Sequence, residues 1–343
     1  VRDTDAYHML PRYKWQSGTT YDIYNPNYSS QSKSFTGQTN LYDCKFVVEN
    51  TNHSVYVCLF NNSNVASTVE PQDAGDEPFI TSDGYQWLRV YDIPASNIED
   101  HTTDNYIPII QNNVVVSVDG ACYTVLIDSA GTGYTTNPGG FSNQLPYYYA
   151  RIVGDGSGAV ARISITGGGI THIEVVRYGQ DYTEGTLDFS PNHVYGSLVD
   201  LDADINGLNP LGNGDFRSTV IISPPGGWGT ELSRELGGTR VGLFSSLGTD
   251  TQDYDFTEGI SFRQVGVIQN LSFNPNTTAN ATTLCASYGI YYENEAGAPF
   301  AIGEQIQMAV DVAGVVKIAK GTVVENDTVN KVLKYIQNPN QHK

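Results

Sequence analysis

Short runs of alternating apolar and polar residues dominate this chain, and a 3.6-residue helical period is nearly missing. Residues 44–49 and 55–60 are rich in Val, Phe and Tyr, with Asn-rich segments between and after them, which predicts a hairpin. Both alternate faces of 55–60 are apolar, so that strand is expected to be covered on both sides. A strand over 85–93 is expected to end at Pro94, followed by strands at 106–110 and 114–118. Later in the chain, 261–273, 286–292, 305–311, 315–319, 322–325 and 331–336 also read as strands. Only 231–236, ahead of Gly237 and Gly238, has a pattern fit for one or two helical turns.

One segment repeats. Gly131, Gly133, Tyr134 and Thr135 are echoed by Gly179, Tyr182 and Thr183, with the two tyrosines 48 residues apart. Each copy follows a strand-like run, 125–127 and 173–176. Between them, Gly154, Gly156 and Gly158 precede the alternating Ala159, Ala161, Ile163 and Ile165, and Gly167 to Gly169 make the next turn. Residues 122–190 therefore read as a compact β module with glycine-rich corners. This module separates a first β unit, 1–121, from a second part with long loops, 191–275. After an Asn/Thr-rich linker over 274–283, residues 284–343 read as a small C-terminal β module. The expected fold is mainly β and multi-domain, with β-sandwich-like units, an inserted Gly/Tyr-rich module and a small appended one.

Charge narrows the function. Lys and Arg total 18 against 37 Asp and Glu, a net charge of −19, which argues against a phosphate-binding nucleic-acid surface and against docking on an anionic membrane. No apolar run reaches the length of about 18 residues that spans a bilayer. Only 16% of residues are charged, below the roughly 25% of an average domain. Polarity comes instead from Asn, Ser, Thr, Gly and 23 Tyr, a composition suited to prolonged protein–protein contact. Cys44, Cys58, Cys122 and Cys285 lack zinc-site spacing and read as buried, reduced thiols; Cys44 and Cys58 are placed to face each other across neighbouring strands, with no disulfide required.

Candidate chemistry is sparse. Gly154, Gly156 and Gly158 resemble a phosphate loop, but a β pattern follows where a helix is needed, so a tight turn is expected. Asp202, Asp204, Asn206 and Gly207 match the first half of a calcium loop. Its twelfth position is Asn213 rather than Glu, so a solvated loop competes with a cation site. Nine carboxylates between Ala66 and Asn105 face a single Arg89, which fits either an acidic docking surface or plain solubility. The six histidines are scattered, and no HExxH or GxSxG pattern occurs. A glycosidase carboxylate pair would be spatial and invisible at this level. Asn-x-Ser/Thr triplets such as Asn52 to Ser54 read as incidental.

Four stretches together resemble a known family. They are Pro11, Arg12 and Trp15 continuing to Tyr21 and Tyr28; the paired runs Val47 to Asn50 and Val55 to Cys58; Asp83, Gly84, Tyr85 and Trp87 with Tyr91, Pro94 and Tyr106; and Pro224 to Gly229 with Trp228, then Gly237, Gly238 and residues 262–270. In order and spacing the chain resembles the baseplate wedge subunit, the gene eight product family, of T-even-like contractile-tailed bacteriophages, in its cyanophage form. The resemblance covers 7–121 and 191–273, while 122–190 and 284–343 resemble modules that decorate cyanophage virion proteins. It implies a partial chain, since the family's N-terminal strand region is missing before Val1 and a longer add-on array could follow Lys343.

What the resemblance implies is a non-enzymatic structural virion protein with no cofactor. It would be assembled in the host cytoplasm into the tail baseplate, homodimeric, joined to other wedge proteins and helping to transmit the contraction trigger. Interface candidates under that reading are Trp15, Tyr21, Asp83, Tyr85, Trp87, Tyr91, Tyr106 and Trp228, with ordinary core packing as the competing assignment for each. The other functional reading is a carbohydrate-binding or depolymerising tail protein, which Tyr/Asn/Gly-rich β modules also suit.

Overall fold

The computed structural model describes residues 6–111, 118–135, 147–246, 263–267, 272–274, 277–278, 287–293, 299–312 and 315–337, and the chain is mainly β. Most of the strand expected at 114–118, most of the 274–283 linker, and Cys285 lie outside the described residues. The chain forms two compact units, one from 1–114 with 229–338 and one from 115–228 with the last five residues.

In the first unit, one antiparallel sheet combines β1 (Ala6–Pro11), β6 (Tyr106–Pro108), β14 (Arg240–Ser246) and β15 (Arg263–Val267) in the order β15-β14-β1-β6. A second contains β2 (Val47–Glu49), β3 (Ser54–Asn61), β4 (Phe79–Ile80) and β5 (Tyr85–Asp92) in the order β2-β3-β5-β4. The run apolar on both faces is β3, and Val55, Tyr56, Val57, Cys58 and Leu59 are all buried there. After Pro94 comes a helix, α1 (Ala95–His101), that the pattern did not announce. It buries none of its residues, so it carries no apolar stripe to read.

After a two-stranded ladder of β16 (Ser272–Asn274) and β17 (Thr277–Thr278), the C-terminal strands β18 (Tyr288–Tyr291), β19 (Gln305–Val312), β20 (Val315–Asp327) and β21 (Val332–Ile336) form a further sheet of this unit, in the order β18-β21-β20-β19. The segments expected as separate strands at 315–319 and 322–325 are one strand. Gly321 sits inside β20 because the Tyr335 ring lies against it; a Cβ there would stand 2.5 Å from that ring. Residues near 30 hold this sheet: Ser30 N–H donates to Gly303 O at 2.8 Å, and Gln305 N–H to Gln31 Oε1 at 3.3 Å. The C-terminal sheet thus belongs to the first compact unit.

The second unit holds β7 (Cys122–Ser129), β8 (Tyr147–Gly154), β9 (Val160–Thr166), β10 (Gly169–Arg177), β11 (Gly185–Leu187), β12 (Val194–Tyr195), α2 (Leu198–Ala203) and β13 (Arg217–Ile222). Here the sequence repeat becomes a structural duplication. In the β10/β9 pair, Ile170 faces Ile165, Ile173 faces Ile163 and Arg177 faces Val160, with bulges between Ile170 and His172 and between Val175 and Arg177. In the β7/β13 pair, Cys122 faces Ile222, Val125 faces Val220 and Ser129 faces Arg217, and the register shifts at the same two places 48 residues earlier. Two cross-links also repeat. Ile170 N–H donates to Ala130 O at 3.1 Å, as Cys122 N–H does to Tyr178 O at 2.8 Å; Tyr134 N–H donates to Gly168 O at 2.9 Å, as Tyr182 N–H does to Gly120 O at 3.3 Å.

Each copy's first strand therefore pairs with the other copy's last strand, and the module closes on itself. That closure recruits β13, from beyond the 122–190 segment read as the insert. It also ties Ala121, just ahead of β7, to Ser223, just after β13, with Ser223 N–H donating to Ala121 O at 2.8 Å. Strand 217–222 pairs across the module because its apolar face, Val220 and Ile222, completes the cluster built on Tyr148, Ala150, Ile152 and Ile163.

Gly131 and Gly179 are equivalent corners with φ of +59° and +65°. A Cβ on Gly179 would stand 2.6 Å from Ala159 N and Ser157 O, whereas one on Gly167, φ +62°, meets nothing within 4 Å. Gly167→Ala is expected to cost about 1 kcal/mol from backbone conformation alone, and Gly179→Ala about 2–3 kcal/mol or more because the backbone of the 155–159 turn must also shift. Calorimetry on both variants checks this. Equal losses at the two positions would mean that the corner is not packed as described.

Candidate functional site

Several of the residues that carry the resemblance, Trp15, Tyr21, Asp83, Tyr85 and Trp87, meet in the first unit around the start of β5. Trp15 Nε1–H donates to Ser67 Oγ at 3.0 Å, and Ser67 O–H donates to Asp83 Oδ2 at 3.0 Å. Asp83 also accepts from Thr68 N at 2.7 Å, Val69 N at 2.9 Å and Thr81 Oγ1 at 2.5 Å. Partial burial works to raise its pKa, but these hydrogen bonds outweigh it and hold the carboxyl below its ordinary value. One ionised side chain thereby fixes the turn at 67–69 and the turn into β5.

Beside it, Tyr85 stacks on Trp87 with centroids 5.4 Å apart, and Tyr21 meets Trp87 edge-on at 5.7 Å. Tyr85 O–H donates to Val65 O and accepts from Tyr21 N–H. Tyr91 O–H donates to Pro108 O at 3.1 Å, tying β5 to β6. Burial raises the pKa of Tyr21, Tyr85 and Tyr91, so all three stay neutral and donating at physiological pH.

A buried ion pair lies at the other end of β2. The Glu49 carboxylate accepts from Arg12 Nε at 2.6 Å and Nη2 at 3.1 Å, and it lies 2.6 Å from His53 Nδ1. Arg12 Nη1 donates onward to Thr103 O at 2.9 Å. The Glu49 side chain is 1% exposed and that of Arg12 8%. No charge pattern in the sequence singled out Glu49, because its main partner, Arg12, lies 37 residues away.

Burial decides among the interface candidates. Tyr21, Tyr85, Trp87, Tyr91 and Trp228 are at most 2% exposed, so they are core side chains without area to offer a partner in this conformation. Only Trp15, Asp83 and Tyr106 are part-exposed, and each is engaged within the unit, Tyr106 by Arg240 at 5.9 Å from its ring centroid. Amphipathic aromatics read alike in sequence whether they plug a core or a partner. The packing assignment holds for the five buried ones.

The calcium-loop candidate is also corrected. Residues Leu198–Ala203 are a helix, α2, whose N-cap Ser197 accepts from Asp200 N–H. Asp202 is bonded by Arg177 at 2.5 and 2.8 Å, Asp204 by Arg151 at 3.0 Å and by Tyr195 O–H, and Asn206 donates to Asp200. The carboxylates that would ligate a cation are spent on arginines that the sequence placed far away. Among the described residues, no group of three or more His, Cys, Asp or Glu is arranged to hold a metal ion. The Gly154 to Gly158 turn is followed by β9, as the tight-turn reading expected.

Asp188, Ser190 and His193 form a small exposed constellation. Both Asp188 Oδ2, at 2.5 Å, and Ser190 Oγ, at 3.3 Å, approach the same ring atom, His193 Nδ1. A proton relay needs the carboxylate and the hydroxyl on opposite ring nitrogens, so this is a loop clasp and not a nucleophilic triad. Cys44, Cys58 and Cys122 are free thiols, and burial pushes Cys44 and Cys122 up to about 12 and Cys58 well above its usual value. These three are expected to resist a thiol reagent in the native protein at pH 8 and to react on unfolding, which mass spectrometry of labelled peptides reads directly.

Comparison with protein-family models, with curated proteins and with solved structures gives no match to this chain. No helix among the described residues is long and apolar enough to cross a membrane.

Proposed function

We propose that this chain is a structural component of a contractile phage tail, a baseplate wedge subunit that acts through protein–protein contacts. One observation carries the reading. The residues of the resemblance interlock into a frame: Arg12 with Glu49 and Thr103, Trp15 with Ser67 and Asp83, Tyr21 with Tyr85 and Trp87. Apart from the buried indole N–H of Trp87, which finds no partner among the described residues, they spend their polar groups on backbone and on each other, which makes the frame rigid. On this reading the protein is a homodimer, sits in the virion baseplate, joins neighbouring wedge proteins and helps pass on the contraction signal.

The test has two parts. Mass spectrometry of purified virions should find the chain among tail proteins. Light scattering after gel filtration should give a species near twice 37.4 kDa that enters a larger stoichiometric complex with wedge neighbours. A trimer that ignores those neighbours and binds or cleaves host-envelope glycan would replace this reading with the carbohydrate-directed tail protein.

A further inference from the structure

Strand β19, at the edge of the C-terminal sheet, is paired on one side and open on the other. It runs against β20 in unbroken register, from Gln305 opposite Thr322 to Val312 opposite Val315. At its start, Gln305 N–H turns away from β20 and donates to Gln31 Oε1 at 3.3 Å. Backbone groups alternate in direction along an antiparallel strand, so Gln307, Ala309 and Asp311 turn their N–H and C=O groups to that same outer side. Among the described residues, none of these groups has a backbone hydrogen-bond partner. Gln307, Met308 and Ala309 are all exposed, so no described part of the chain lies over them.

The other described edge strands of the first unit are short or covered. None exceeds 5 residues, β6 ends on Pro108, and β2 takes a bridge from Lys14. β19 has 8 residues, with no proline, no lysine or arginine and no bulge. An edge of this kind is a template for a further strand. The sheet behind it also has little cover. Among its described apolar side chains, Val323 and Leu333 are buried, while Met308 is 58% exposed.

Charge and symmetry select the occupant. Residues 299–337 contain four Lys and four Asp or Glu, so this stretch is neutral in a chain of net charge −19, and the repulsion between two copies does not fall on it. A second copy turned about a two-fold axis presents the same open edge, antiparallel to the first. With the axis at Ala309, this small residue meets its own counterpart, and Gln307 stands opposite Asp311 of the second copy. Each outward N–H then faces an outward C=O, and the strand's one charged residue, Asp311, does not oppose itself. One contact closes the open edge of both copies. We infer that two copies of this chain join through β19, which pairs antiparallel with itself about Ala309 and merges the two C-terminal sheets into one. The inference locates the homodimer of the proposed function and rests on that reading.

Cysteine cross-linking of the full chain reads the register. Residues in a hydrogen-bonded antiparallel pair have Cα atoms about 5.5 Å apart, within disulfide range. Ala309→Cys is therefore expected to give a covalent dimer under mild oxidant. Gln307→Cys is expected to give none, because its counterpart lies about 13 Å along the facing strand. The parent chain under the same oxidant controls for its own four cysteines. Ala309→Pro removes an outward N–H and no bond to β20, so the melting temperature should hold while light scattering shows self-association weakened about tenfold or more. No cross-link at Ala309→Cys, an equal one at Gln307→Cys, or an Ala309→Pro chain that dimerises like the parent would overturn the inference and leave a homodimer through another surface. A parent chain that stays monomeric would overturn it too; the wedge reading survives that result if purified virions contain the chain and falls if they do not.

Discussion

Arg12→Ala is expected to destabilise the first unit by about 3–5 kcal/mol at neutral pH, the usual cost of stranding a buried charge, and by much less near pH 4. Arg12 makes two of the hydrogen bonds that Glu49 accepts, on a side chain that is 1% exposed. Burial by itself would raise the Glu49 pKa, but the Arg12 and His53 hydrogen bonds and charges overcome it and leave the carboxyl below its ordinary value. The sign follows. A carboxyl whose folded pKa is depressed contributes stability above its unfolded value, about 4.3, and loses that contribution as pH falls through the folded value. Without Arg12, burial dominates and the pKa of Glu49 moves up, so acid relieves the variant by protonating the stranded carboxylate while it weakens the parent. Urea denaturation at pH 7, 5.5 and 4 should show the two midpoints converging as pH drops. A gap that stays constant across this range would mean that Glu49 is not the group Arg12 neutralises.

Trp87→Ala is expected to cost the first unit about 3–5 kcal/mol, the range for deleting a buried aromatic ring. Trp87 is fully buried, Tyr85 stacks on it, Tyr21 meets it edge-on, and Cys58 faces it across the β3/β5 ladder. Removing the indole leaves two tyrosines without their packing partner at the point where β5 begins. Thermal unfolding of the isolated chain measures this directly. An interface anchor would behave oppositely, with a free chain of unchanged melting temperature and a lost complex, and that outcome would return Trp87 to the partner-facing surface.

Much of the fold was legible in the sequence. Residues 55–60 announced a strand covered on both faces and 231–236 a short helix, now α3 (Leu232–Glu235), because alternation and glycine punctuation are local properties. Strand β1 escaped notice since Tyr7, His8 and Met9 do not alternate, and its partners β14 and β6 lie far along the chain. The 48-residue repeat was visible through its tyrosines and glycines, but its closing strand was not. β13 shares with β9 a pairing register rather than a sequence signature.

The candidate site was legible only as residue types. Trp15, Tyr21, Asp83, Tyr85 and Trp87 could be picked out, but whether such side chains face a partner or a core depends on what the rest of the chain lays over them. The Asp202–Asp204 segment shows the same limit, since alternate carboxylates spell a cation loop until Arg151 and Arg177 arrive from neighbouring strands and neutralise them. By itself, then, the sequence determined the β class, the turns, the acidic surface and the existence of a repeat, all set by spacing and composition along the chain. Tertiary structure alone decided which copy's strand closes the module, which carboxylates are paired and which aromatics are buried, because each depends on groups brought together across long stretches of chain.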